Sequence, residues 1–180
     1  MSLRRVCLSL VALLPVSSCV SVKTDSAVQS SPIRSAAPEF DLPDAFGTQY
    51  RLADYRGKVV LLNFWAPWCF SCESEMSAFE DLRSYFPESN FEVLAVTVLD
   101  DDKRVQSPIK HHFPVLFDAN RTVAGRYGVT TIPVTLILDK QGRIVSFPDP
   151  DGSGDRTVFE GPRGWSSLKV VREIQKLIDE

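Results

Sequence analysis

Apolar residues form two near-continuous runs in this chain, and the segment between them has helical spacing. The runs at 59–64 and 91–99 suit strands that are covered on both faces of a sheet. Between them, apolar positions recur every three or four residues over about 69–85, which predicts a helix. The residues on its apolar side are Met76, Phe79, Leu82 and Phe86. A strand, a helix and a strand within about forty residues predict a right-handed parallel crossover.

Turn residues and alternation predict the elements on either side of this unit. Phe40 and Leu42 alternate with polar residues before the turn residues 43–47, which indicates a hairpin. Two further strands, 134–138 and 143–147, flank the turn residues 139–142 and form a second predicted hairpin.

The remaining elements are shorter or less regular. The stretch broken by Pro108 and Pro114 has no regular pattern, and a short helix follows at about 121–127. We expect residues 157–160 to add an edge strand after the loop 148–156. A closing helix at 166–179 buries its apolar side, which consists of Val170, Val171, Ile174, Leu177 and Ile178.

The N-terminus has the layout of a secretory signal. Arg4 and Arg5 precede a short apolar core that is too short to span a bilayer as a helix. The core ends in Val-Ser-Ser-Cys at residues 16–19, which resembles a bacterial lipobox, so Cys19 is the expected site of lipidation. An ordinary secreted protein that is cut near Ala37 is the alternative. We therefore divide the chain into a signal (1–18), a lipidated cysteine with a flexible tether (19–37) and one domain (38–180).

Length and charge limit the functions open to this chain. The 162 residues after the signal suffice for one domain with its own core, without structural disulfides. The net charge is −3, and the loss of Arg4 and Arg5 makes it −5. Since there is also no basic run, we expect no nucleic-acid partner.

Candidate chemistry lies in the sequence Trp-Ala-Pro-Trp-Cys-Phe-Ser-Cys, at residues 65–72. It follows the first buried strand and begins the helix, so Cys69 stands at a helix N-terminus, where unpaired N–H groups stabilise a thiolate. Helical geometry keeps Cys72 close enough to form a disulfide. If Cys7 is removed with the signal and Cys19 is lipidated, these two cysteines hold the remaining free thiols. The pattern predicts reversible dithiol–disulfide chemistry, which needs no cofactor.

These features together resemble the thioredoxin fold and, within it, the membrane-tethered TlpA/ResA-like family. The matching motifs are Ala-Pro-Glu-Phe at 37–40, Gly-Lys-Val-Val-Leu-Leu-Asn-Phe-Trp at 57–65, the Cys-x-x-Cys pair, Glu75-Met76 and Ile132-Pro133. The resemblance covers about residues 37–180. It implies a three-layer α/β/α sandwich with a mixed central sheet and an N-terminal β-hairpin extension.

The resemblance also implies a role for each residue of the site. Cys69, as the exposed member, would attack a substrate disulfide, and the more buried Cys72 would resolve the mixed disulfide. Pro133 would be a cis-proline, which leaves the backbone of Ile132 free to pair with substrate. Trp68 would shape the contact surface. Trp65 lies on a different face of the strand and is expected in the core.

Two positions depart from the pattern of the fold. Asn63 stands where thioredoxins have a buried Asp that accepts the proton of the second cysteine, so another acceptor is needed. One of the acidic residues at 100–102 is a candidate, although a solvated acidic loop is the simpler interpretation. Ser71 replaces the usual proline, and its N–H or hydroxyl could stabilise the Cys69 thiolate. Glu73 and Glu75 would act in the opposite direction.

Other functions remain open for a Cys-x-x-Cys pair. It could form half of a zinc site with His111 and His112, but adjacent histidine side chains diverge, and we expect both to be solvated loop residues. Copper delivery typically uses a Cys-x-x-x-Cys spacing, and a peroxidase needs a Thr and an Arg around its cysteine; neither motif is found here. A redox-inactive binding module of the same fold is a further alternative.

The sequence therefore predicts a monomeric thiol–disulfide oxidoreductase that acts on protein disulfides. The resemblance implies a periplasmic reductant that is held to the membrane by lipid and receives electrons from a membrane thiol reductase. Keeping apocytochrome c thiols reduced is one implied duty, and repair of other exported proteins is another. Val20 after Cys19 is not the Asp of an inner-membrane retention signal, which favours the outer membrane.

Overall fold

The computed structural model of the protein describes residues 34–88, 90–98 and 111–180. The predicted strands and helices occur in the predicted order, and short strands that were not predicted lie among them. The strands are β1 (Ser35–Ala36), β2 (Asp41–Pro43), β3 (Gln49–Arg51), β4 (Val59–Trp65), β5 (Phe91–Val98), β6 (Val115–Asp118), β7 (Val134–Leu138), β8 (Arg143–Ile144), β9 (Phe147–Pro148), β10 (Asp155–Arg156) and β11 (Phe159–Glu160). The helices are α1 (Phe70–Ser84), α2 (Thr122–Arg126) and α3 (Leu168–Asp179).

A mixed sheet organises the described part of the chain, with the strand order β1-β8-β7-β4-β5-β6. β4 pairs parallel with β5 and antiparallel with β7, and β5 pairs parallel with β6. The predicted parallel pairing of β4 and β5 across α1 is thus confirmed. β11 also pairs with β7, as predicted for an edge strand.

The core lies on both faces of the central strands. Every residue of β4, β5 and β7 is buried, which explains why their sequences are near-continuous apolar runs instead of alternating ones. α1 contributes Met76, Phe79 and Leu82 to this core, and α3 contributes Val170, Ile174 and Leu177. Val171 and Ile178 of α3, which we predicted to be buried, are only partly so.

The predicted N-terminal hairpin is formed by β2 and β3. Asp44 stabilises its turn, since one carboxylate oxygen accepts hydrogen bonds from the backbone N–H groups of Phe46 and Thr48, at 2.8 and 2.9 Å. Gly47 takes a φ of +85°, which a residue with a side chain rarely adopts.

Three features differ from the sequence prediction. Ser35 and Ala36, which we assigned to the tether, pair with β8, and Ala37 is buried. β6 was not predicted, and the predicted strand 143–147 is divided between β8 and β9. The division occurs because Phe147 pairs with Arg156 of β10 in a separate two-stranded sheet.

The signal, the lipidation site at Cys19 and most of the tether lie outside the described residues. Within the described ranges, no helix has the length and apolar character that a membrane crossing requires.

Candidate active site

The two cysteines of the motif lie where β4 leads into α1, and they form a disulfide. Cys69 is the N-cap residue of α1, and its sulfur accepts a hydrogen bond from the backbone N–H of Cys72 at 3.3 Å. The helix thus offers an N–H group to the position where a Cys69 thiolate would form. This geometry matches the predicted placement of a reactive thiol at a helix N-terminus.

The two cysteine residues differ in exposure. Cys69 is 8% exposed and Cys72 is 1% exposed, so Cys69 is the member that a partner reaches first. The predicted ranking of the two cysteines is confirmed, but Cys69 is itself buried in this disulfide form and not exposed as we expected. Its neighbours Trp68 and Phe70 are 73% and 88% exposed, and they form an apolar surface around it.

Ser71 lies directly beside the reactive sulfur. Its Oγ is 3.4 Å from the Sγ of Cys69, which is within the range for a hydrogen bond to sulfur. A hydroxyl at this distance can donate to a thiolate once the disulfide is reduced. Of the two groups that we considered for stabilising the Cys69 thiolate, the backbone N–H and the hydroxyl of Ser71, this contact favours the hydroxyl.

We expect Ser71→Ala to make Cys69 less reactive at neutral pH. Loss of one donor to the thiolate should move the pH midpoint of Cys69 alkylation upward by about half to one unit. The measurement is the alkylation rate of the reduced protein across pH. Ser74→Ala is the matched control, since the Ser74 hydroxyl donates to the backbone carbonyl of Ser71 at 2.8 Å and not to sulfur. An equal midpoint in both variants would contradict a role for the Ser71 hydroxyl.

The residues predicted to contact substrate lie together around one cleft. The peptide bond between Ile132 and Pro133 is cis, as predicted. A cleft of about 270 Å³ next to it is lined by Trp68, Val98, Arg121, Thr130, Thr131 and Ile132. Trp68 and Ile132, which are more than sixty residues apart in sequence, therefore meet at the same opening. The cleft offers apolar walls with a cation and two hydroxyls.

Asn63 is buried at the position where thioredoxins have a buried Asp. It is 1% exposed, and its Nδ2 donates to Thr135 Oγ1 at 3.0 Å and to the carbonyl of Val134 at 3.5 Å. These bonds join β4 to the strand after Pro133, so Asn63 has a structural partner and no acid–base role. The acidic candidates at 100–102 lie outside the described residues.

Glu75 is a buried carboxyl that the sequence analysis did not assign as a proton acceptor. It lies three residues after Cys72 in α1 and is 2% exposed. Burial raises its pKa to about 7, although hydrogen bonds from the Trp165 side chain and the Arg163 backbone act in the opposite direction. The sequence contained one signal of this buried acid: Glu75 lies on the side of the helix that otherwise carries apolar residues.

The candidate zinc ligands His111 and His112 lie beside Glu80. Their Nδ1 atoms lie 3.6 and 3.3 Å from the carboxylate of Glu80. The prediction that both are solvated is wrong for His111, whose side chain is 3% exposed because it stacks on Phe113, with ring centroids 4.9 Å apart. Burial lowers the pKa of His111. Among the described residues, no three His, Cys, Asp or Glu side chains cluster as a metal site would require.

Comparison with known proteins places this geometry in a family. Residues 33–147, which run from β1 to the first residue of β9, match the sequence profile of the AhpC/TSA family. The chain belongs to the AhpC/TSA family. This match contains both cysteines, Pro133 and Glu75.

Relatives of this AhpC/TSA chain are named as redox proteins. The thiol-disulfide oxidoreductase ResA of Geobacillus thermodenitrificans is 38% identical over 115 residues, which cover 62% of this chain and 66% of the relative. ResA of Bacillus subtilis is 34% identical over 114 residues, 62% of this chain and 64% of the relative. The matched region therefore spans slightly less than two thirds of these relatives.

Solved structures confirm the thioredoxin-like α/β fold. A protein of Chlorobium tepidum that is assigned as a thiol:disulfide interchange protein DsbE superimposes with a TM-score of 0.64 and 25% identity, over 81% of this chain and 96% of that one. A Neisseria meningitidis protein assigned as a thioredoxin gives a TM-score of 0.62 and 30% identity, over 80% and 90% of the two chains. The fold predicted from the sequence is the observed one.

Proposed function

We propose that this protein is a thiol–disulfide oxidoreductase that reduces disulfides of exported proteins through Cys69 and Cys72. The observation that carries the proposal is the disulfide between these residues, with Cys69 capping α1. The ResA proteins that resemble this chain are named for the same reaction. A bond that closes only two intervening residues contributes little to stability, which also favours a redox role over a structural one.

The reaction begins with the reduced dithiol. The Cys69 thiolate attacks one sulfur of a substrate disulfide, and the other substrate sulfur leaves as a thiolate that takes a proton. Cys72 then loses its proton and attacks the Sγ of Cys69. The second substrate sulfur leaves, the Cys69–Cys72 disulfide forms, and two electrons have passed to the substrate. A membrane thiol reductase restores the dithiol by the same exchange in reverse.

Glu75 is the proton acceptor for Cys72 in this scheme. Cys72 and Glu75 are both buried and stand three residues apart in α1, so they lie about one helical turn apart on the same side of the helix. We propose that the carboxylate takes the proton of the thiol directly or through one water. A carboxyl with a pKa of about 7 exists in both protonation states at neutral pH, as proton exchange requires. Asn63 cannot perform this task, because an amide does not accept the proton.

The cleft beside Pro133 is where we place the substrate. A substrate chain that pairs with the backbone of Ile132 would lie along the cleft, with Trp68 covering its apolar side. Phe70, the residue after Cys69, adds a further exposed aromatic side chain next to the reactive cysteine. Unfolded exported proteins, apocytochrome c among them, offer extended cysteine-containing segments of the kind that fits. The protein acts as a monomer in this proposal.

The reduction potential tests the direction of the reaction. For a reductant we expect the Cys69–Cys72 couple to lie near the thioredoxin end of the scale, at roughly −270 mV. Equilibration with glutathione or thioredoxin buffers, followed by alkylation of free thiols, measures the potential. A value near roughly −120 mV would identify a disulfide donor instead. A pair that never forms the disulfide in these buffers would contradict redox function altogether.

We also propose that lipid on Cys19 holds the protein at the periplasmic face of a membrane, with the outer membrane favoured by Val20. Cys19→Ala should move the protein from the membrane fraction to the soluble periplasmic fraction, since it removes the attachment site for the acyl chains. Cys7→Ala is the matched control, because Cys7 lies in the signal and should be dispensable. Membrane association that survives Cys19→Ala would contradict the lipid anchor.

A further inference from the structure

The segment of residues 149–165, which we call the clamp segment, lies beyond the residues that match the family profile. At its start, Asp149 is fully buried and forms ion pairs with Arg156 at 3.0 Å and with Arg163 at 3.4 Å. Its Oδ1 accepts the backbone N–H of Asp151 at 2.9 Å, and its backbone carbonyl accepts Lys169 Nζ of α3 at 3.0 Å. A buried carboxylate with two guanidinium partners fixes the path of this segment.

The end of the clamp segment meets the helix that carries the cysteines. Trp165 is fully buried between Phe159 and Phe79, with ring centroids 5.2 and 6.0 Å from its own. Its Nε1–H donates to the Oε1 of Glu75 at 2.7 Å. The backbone N–H of Arg163 donates to the same oxygen at 2.9 Å. The clamp segment therefore donates two hydrogen bonds to one oxygen of Glu75, which follows Cys72 by about one helical turn.

The other oxygen of this carboxyl is left for a different partner. Glu75 Oε2 is buried and has no hydrogen-bond partner in the part of the chain that the structure describes. A buried polar atom without a partner destabilises the fold, and a catalytic role is one reason why a protein retains such an atom. Two donors on Oε1 fix the rotamer of the side chain, so that Oε2 stays available for a proton.

We infer that the clamp segment positions the Glu75 carboxyl for proton exchange with Cys72, with Trp165 as the positioning residue. The inference rests on the proposed function, since it explains how the acceptor is held. Trp165 does not touch the sulfur atoms in this role. It acts by stabilising the carboxylate form of Glu75 and by aiming its second oxygen.

The charges around Glu75 come from the same segment. Arg163 lowers its pKa by attraction, whereas Asp151 raises it by repulsion, and Arg163 also lies 3.7 Å from Asp151. Both N–H donors stabilise the carboxylate against the larger effect of burial. A change in the clamp segment should therefore change the proton affinity of Glu75 without any change at the cysteines.

Trp165→Phe tests this inference, because it keeps an aromatic ring and removes the donor. The pH midpoint of the Glu75 carboxyl can be followed in the oxidised full chain by carbon-13 NMR with labelled glutamate, and Glu75→Gln assigns the signal. A hydrogen bond to a charged group contributes enough to predict a rise of about one pH unit or more. Phe147→Leu is the matched control, since Phe147 contacts Phe159 but donates nothing to Glu75. An unchanged or lowered midpoint in Trp165→Phe would overturn the inference.

A second variant keeps the test valid if Trp165→Phe folds poorly. Arg163→Met retains the backbone donor and the indole but removes the positive charge, so it should raise the midpoint by a smaller amount. The rate at which a preformed mixed disulfide is released gives the second readout, and it should fall at neutral pH in both variants. If Glu75→Gln slows release but neither clamp variant shifts the midpoint, the inference fails alone. If Glu75→Gln leaves release unchanged, the proposed acceptor fails instead.

Discussion

Cys72→Ser is expected to stop the reaction after its first half and to trap the protein on its substrates. Cys69 remains at the N-cap of α1 and can still attack a substrate disulfide. The serine hydroxyl cannot attack the mixed disulfide, so the substrate stays covalently attached. Turnover should fall by about 10³-fold or more, since one of two nucleophiles that act as a unit is lost. Non-reducing gels of whole cells, or insulin reduction by the purified protein, measure the two effects.

Cys69→Ser is the control that separates catalysis from binding. It removes the sulfur that is more accessible, so it should abolish turnover without forming any adducts. Adducts in Cys72→Ser that vanish in the double variant would show that they depend on Cys69. A Cys69→Ser protein that supports full function in cells would instead indicate a redox-inactive binding module. Wild-type turnover in Cys72→Ser would contradict the two-cysteine mechanism.

Local patterns explain why much of this fold was predictable. β4, α1 and β5 are each determined by residues within the element, because buried strands are apolar throughout and a helix repeats every three to four residues. The motif residues Trp68, Cys69 and Cys72 follow one another at the start of α1, so their placement followed from the placement of the helix. The cis peptide bond before Pro133 was predicted from the family resemblance and not from a local sequence pattern.

The elements that were missed depend on distant partners. β6 has only four residues, and it is stabilised by its parallel pairing with β5 and not by its own sequence. β1 pairs with β8 across more than one hundred residues, so two residues of the predicted tether joined the sheet. Short strands of this kind have too few residues to show a period of their own.

The environment of the buried Glu75 carboxyl also depends on residues that are distant in sequence. The hydrogen bond between Trp165 and Glu75 joins residues that are ninety positions apart. The second donor to Glu75 is the backbone N–H of Arg163, which no side-chain pattern reveals. The sequence therefore identified the two cysteines but not the carboxyl that we propose as the proton acceptor. From the sequence we predicted only that the negative charge of Glu75 would destabilise the Cys69 thiolate. Local sequence patterns locate a nucleophile more readily than the group that serves it.

Glu75→Gln is expected to slow release of the mixed disulfide by about 10²-fold at neutral pH, since this is the lower range for the loss of a general base. In the natural protein the carboxyl must be ionised to accept the Cys72 proton. The release rate should therefore rise with pH through about 7 and then level off. The glutamine variant should lack this inflection. Stopped-flow measurement of release between pH 5 and 9 tests the prediction, and a retained inflection near pH 7 would contradict it.

The same substitution should stabilise the fold, and the sign follows from proton linkage. The pKa of Glu75 rises from 4.5 to about 7 on folding, so the folded state holds this proton more tightly between these values. Its contribution to the free energy of unfolding is thus greatest below pH 4.5, falls as pH rises to about 7 and is then constant. The loss amounts to about 3 kcal/mol.

Glutamine keeps an oxygen for both N–H donors without any charge to bury, so urea unfolding of Glu75→Gln should lack this loss. Phe147→Leu serves as the control with an unaltered pH slope. A gain in stability joined to a loss of rate is the signature of a buried group that is retained for function and not for folding. A variant that loses stability equally at every pH would show instead that Glu75 is a structural residue.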